Sequence, residues 1–136
     1  MIGNVGFGAL YSSFLSQQSR QKNQQKQDLI NKNYNEIYAH EAAHKAAGGA
    51  LAGAIVIEKN ADGIPVGGHV AIKMPSLNPA NPKKTIDDAN TVIRSAMAPS
   101  DPSDQDYRVA SRARSIKAQA QGMLNKNQGK KLDYRA

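Results

Sequence analysis

Between Asp28 and Ala52 the chain has no proline, is rich in alanine, and sets Leu29, Ile30, Tyr34, Ile37, Tyr38, Ala42 and Leu51 at intervals close to three and four residues. That pattern predicts an α-helix, with Asp28 or Asn31 placed to cap its start and Gly48, Gly49 and Gly53 available to stop it. Within it stands His40-Glu41-Ala42-Ala43-His44. On a helix, residues i and i+4 lie one above the other on the same face, so both imidazoles can reach one tetrahedral ion, and Glu41 beside them can face a water held there. With three histidines and three glutamates in 136 residues, chance alone would give this spacing with a probability on the order of one in a thousand. If Gly48 or Gly49 ends the helix, the metal-facing residues fall in its last two turns.

The third histidine, His69, lies in the segment that follows. Ala54 to Lys59 is a β-branched run, Asn60-Ala61-Asp62-Gly63 has turn chemistry, and Ile64 to Met74 is a second extended run, which together predict a β-hairpin. Gly67-Gly68 permits a bulge or a close backbone approach just before His69. His69 is the expected third metal ligand, with Glu58, then Asp87 or Asp88, as rivals. Strand alternation sets a condition on this: if Val70 and Ile72 face the core, His69 faces the other side unless the glycines shift the phase.

Three prolines between Pro75 and Pro82 hold the next loop away from helix. A second helix is predicted over Lys83–Ala98. A third begins after the N-cap Ser103 and runs to about Leu124, acidic at its start (Asp104, Asp106) and basic beyond, as the helix dipole prefers. Asp106 is also placed to accept an N–H from a ligand imidazole. The order helix, hairpin, helix, helix is α+β. Residues 16–27 and 125–136 offer almost nothing to bury, so the expected organisation is a polar, disordered segment 1–27, a folded domain 28–124 and a basic flexible tail 125–136.

Composition narrows the chemistry. There is no cysteine, so any zinc must take nitrogen and oxygen ligands. The formal charge of +7 is concentrated in the flanks (Arg20, Lys22, Lys26; Lys126, Lys130, Lys131, Arg135), with few aromatics interleaved, which argues for solvated ends rather than sequence-specific nucleic-acid binding. The apolar residues of Met1–Leu15 precede any positive charge and lead to no small-residue cleavage site; the stretch is a poor signal peptide and too short to span a bilayer.

Ala39 to Gly49, Asp62-Gly63, Val66-Gly67-Gly68-His69-Val70, Ala96-Met97-Ala98-Pro99 and Pro102-Ser103-Asp104-Gln105-Asp106, in that order, resemble the SprA-related family of bacterial metalloproteases over roughly residues 36 to 121. The family often carries glutamate at the position of His69. The resemblance implies a minimal zincin-like domain, with His40 and His44 as zinc ligands and Glu41 as catalytic base. The expected function is therefore zinc-dependent hydrolysis of a peptide or protein substrate by a zinc-activated water, with His40, His44 and His69 holding the metal and Glu41 taking the proton. Tyr34, Tyr38, Tyr107 and Arg108 are candidate donors to the developing oxyanion. The competing expectations are a non-catalytic zinc-containing protein and a small basic interaction protein.

Overall fold

From Ala9 to Ala47 the sequence contains neither glycine nor proline, and the helix it forms is longer than the alanine-rich run alone predicts. A computed structural model describes residues 3–133, in which this helix, α1, spans Gly3–Gly48. The segment 1–27, expected to be disordered, is helical from Gly3 onward and continuous with the rest of α1. Lacking apolar residues kept residues 16–27 from packing, not from coiling, because Gln, Lys and Arg are good helix formers. Side chains 7–29 are all exposed. Burial begins at Ile30 and continues through Asn33, Ile37, His40, Glu41, His44 and Gly48, a stripe at intervals of three and four that faces the hairpin and the second helix.

α1 stops at Gly48, and Gly49, with φ +54, starts the turn that leads into β1 (Ala52–Lys59). β2 (Pro65–Ile72) pairs with it antiparallel. Their connection is organised by Asn60, whose Oδ1 accepts from the backbone N–H groups of Asp62 and Ile64, both at 3.0 Å, and by Gly63 at φ +77. A two-stranded sheet is marginal alone. Here α1 covers one face, and Asn33 donates to the Pro65 carbonyl at 3.0 Å. Gly68 makes the approach possible: a Cβ there would lie 2.7 Å from Ile37 Cγ2, 2.9 Å from the Val56 carbonyl oxygen and 3.1 Å from Glu41 Cγ.

α2 (Pro82–Ala96) starts on Asn81, whose side chain accepts from Lys84 N–H, with Pro82 in the first turn. α3 (Asp104–Asp133) starts on a reciprocal cap: Ser103 Oγ accepts from Asp106 N–H at 3.1 Å, and Asp106 Oδ2 accepts from Ser103 N–H at 2.8 Å. The tail expected to be flexible from residue 125 is helical to Asp133. α2 packs on α3, and the buried apolar positions there (Ala89, Val92, Ala96, Ala110, Ala113, Ala120) are nearly all alanine, so the helices can lie close together. The fold is α+β in the order helix, hairpin, two helices. Among the described residues no helix is long and apolar enough to cross a membrane.

Candidate metal centre

His40 and His44 occupy the last turns of α1, one turn apart, and their rings meet edge to face with centroids 4.8 Å apart. Their Nε2 atoms are 3.2 Å apart. Two donors on a tetrahedral ion at the usual zinc–nitrogen distance stand about 3.3 Å apart, so the pair is already spaced for shared ligation. His44 is fixed from behind by Ser95 on α2. Its Nδ1 lies 2.7 Å from the Ser95 carbonyl oxygen, and Ser95 Oγ in turn donates to the His44 carbonyl at 2.7 Å. A carbonyl only accepts, so Nδ1 carries the hydrogen, and in the neutral tautomer that this selects Nε2 presents its lone pair to the site. Metal-ligating histidines are commonly oriented in this way.

Two carboxylates border the imidazoles. Asp106, at the start of α3, places Oδ2 3.1 Å from His40 Nε2 and Oδ1 3.2 Å from His44 Nε2. Glu41 is buried, 7 % exposed, and its carboxylate makes no hydrogen bond to the described residues. His40, Glu41 and His44 each offer a ligand atom within 4.8 Å of the others, a cluster that could hold a metal ion. His44 Nε2 and Asp106 Oδ1 face each other at 3.2 Å, a contact that a proton on the imidazole or a cation beside the pair would each satisfy.

The cluster opens on a cleft of about 480 Å³ lined by His40, Glu41, His44 and Asp106, by Gly68, His69, Val70 and Ile72 of β2, and by Arg112 of α3. His69 borders this cleft but does not join the cluster. It pairs with Val56 across the hairpin, on the face that also carries Glu58, and its Nδ1 lies 3.1 Å from Glu58 Oε1, with the two side chains 57 % and 60 % exposed. Val70 and Ile72 are the half-buried neighbours, so the alternation of the strand holds and turns His69 away from α1. The other rivals are also elsewhere: Asp87 is exposed, and Asp88 pairs with Lys84 at 2.8 Å. Tyr34, Tyr38, Tyr107 and Arg108 do not line the cleft; the cation that does is Arg112. Ser95 carried no sequence signal, since its role rests on a backbone carbonyl. Asp106 carried one, an acid in the first turn of a helix, which the dipole by itself explains.

Residues 14–132 match the model of the SprA-related family. No curated protein and no solved structure matches the chain.

Proposed function

The chain belongs to the SprA-related family, and from that premise we propose that it is a zinc-dependent, zincin-like metallopeptidase in which His40 and His44 hold the ion and Glu41 is the general base. The single observation that carries this is the placement of two imidazoles and a buried carboxylate within 4.8 Å of one another at the head of an open cleft. Zinc suits a nitrogen and oxygen donor set, and when bound it supplies Lewis acidity that polarises a scissile carbonyl and makes a water acidic enough to attack it at neutral pH.

The chain's own residues do the rest. Glu41, closed in on the hairpin side by Gly68 and unpaired towards the cleft, accepts the proton of the attacking water at a carboxylate oxygen and returns it to the leaving amine. Ser95 holds the His44 ring in one tautomer and orientation throughout. β2 is paired on one side only, so its outer edge offers unpaired backbone groups along the cleft wall, and an extended peptide can add there as a strand with its carbonyl aligned on the site. Arg112 supplies a positive charge on the opposite side, from α3.

The test is peptide-library hydrolysis by the zinc-loaded full chain and by Glu41→Gln. Cleavage by the wild type is expected, with turnover lowered about 10²–10⁴-fold in the variant at unchanged zinc content, the range general acid–base groups contribute. Equal turnover by the two proteins would remove Glu41 from the chemistry.

A further inference from the structure

We propose that Asp106 is the third protein ligand of this centre, so that the donor set is His40 Nε2, His44 Nε2 and an Asp106 carboxylate oxygen; the assignment rests on the metal-centre reading above and replaces the expectation of His69. The three separations are 3.2 Å between the imidazole nitrogens, 3.1 Å from His40 to Oδ2 and 3.2 Å from His44 to Oδ1. Donors bonded to one tetrahedral ion at zinc-like distances stand about 3.3–3.4 Å apart; the imidazole pair falls just inside that spacing, and the carboxylate turns one oxygen to each imidazole at the same range.

A divalent cation suits the same three groups. His44 spends its one neutral-state hydrogen on the Ser95 carbonyl. With His44 neutral, a hydrogen on His40 Nε2 can go to Asp106 or to His44 but not to both, whereas a second proton on His44 lets both imidazoles donate to the carboxylate. One divalent cation among the three satisfies every acceptor at once.

Asp106 is also held for the task. Its Oδ2 accepts from Ser103 N–H, and its side chain is only 14 % exposed. A carboxylate serving only as a helix cap needs one oxygen for the backbone and leaves the other to water; here the other is aimed at His44. Glu41 is less well placed to ligate, because it leaves α1 about 100° around from His40 and lies against Gly68 of the hairpin.

The test is competitive titration with zinc alone, on the full chain, of the wild type and of Asp106→Asn, Ser103→Ala, His69→Ala and His44→Ala. Asparagine can still accept from Ser103 N–H, and Ser103→Ala weakens the cap without touching a donor, so the two separate capping from ligation. The expected result is a loss of affinity of more than about 100-fold in Asp106→Asn, beyond the 10–100-fold that follows when a partner merely orients a ligand, with Ser103→Ala and His69→Ala close to wild type. Asp106→Cys adds a signature, since the chain has no other thiol: its cobalt form should show a thiolate-to-cobalt charge-transfer band in the near ultraviolet. A loss of 100-fold or less in Asp106→Asn, a cobalt-loaded Asp106→Cys without that band, or a collapse of affinity in His69→Ala overturns the assignment. If His44→Ala loses zinc while Asp106→Asn keeps it, the metal centre stands and only the role of Asp106 falls; if the wild type takes up no zinc, both fall.

Discussion

Ser95 touches His44 twice, through its carbonyl to the ring and through its hydroxyl to the backbone, and the two contacts can be separated by mutation. Ser95→Ala keeps the carbonyl and removes the hydroxyl from a site with no solvent access, leaving the His44 carbonyl without its 2.7 Å donor. The expected cost is about 1–3 kcal/mol in urea unfolding, with zinc stoichiometry unchanged because the ring is still held. A variant as stable as the wild type would show that the hydroxyl contributes nothing, and one that lost zinc would show that the carbonyl alone does not position the ring. The same two residues show which parts of the site could be read in advance. His40, Glu41 and His44 belong to a single helical turn, so spacing alone brings them together. Ser95 and Asp106 reach them across 51 and 66 residues, through packing that no local pattern encodes. Asp106 was visible as a candidate partner of an imidazole, yet the helix dipole accounted equally well for an acid there.

Between elements, the instructive case is α1, whose 46 residues extend about 69 Å while its side chains from 7 to 29 are exposed and packing begins at Ile30. Helix formation and burial are separate demands, and the polar run 16–27 meets the first without the second. It is supported locally by Gln24 to Asp28 at 2.9 Å and Gln27 to Asn31 at 3.1 Å, pairs four residues apart. The hairpin and the starts of α2 and α3 were legible because turn and cap residues act at short range: Asn60 and Gly63, Pro82, and Ser103. Where helices would end was not, since α3 continues past its last buried residues on propensity alone. Removing residues 1–27 should therefore lower the helical circular-dichroism signal while shifting the stability of the packed part by no more than about 0.5 kcal/mol, as for other exposed surface, and leaving zinc binding intact. Loss of the cooperative unfolding transition on truncation would mean that the projecting helix is needed to hold the rest.

Across the whole molecule, α1 packs on the hairpin and on α2, and α2 packs on α3, but α1 and α3 share no comparable interface. Their polar junction is His40 and His44 on one side and Asp106 on the other. An ion bound there would tie the first helix to the last in a protein whose buried apolar core is mostly alanine, and it would do so only in the folded state, because the unfolded chain does not hold the three groups together. Linkage then fixes the size of the effect: free zinc at 100 times its dissociation constant stabilises the fold by about 2.7 kcal/mol, which for a packed region of this size raises the melting temperature on the order of 10–20 °C. A chelator should reverse the shift, and Asp106→Asn should show little of it at the same zinc concentration. The hairpin gives the contrasting outcome. Were the ion held by His69 instead, it would join α1 to a sheet already packed on it, Asp106→Asn would melt with the full zinc-dependent shift, and the junction between the first and last helices would owe nothing to metal.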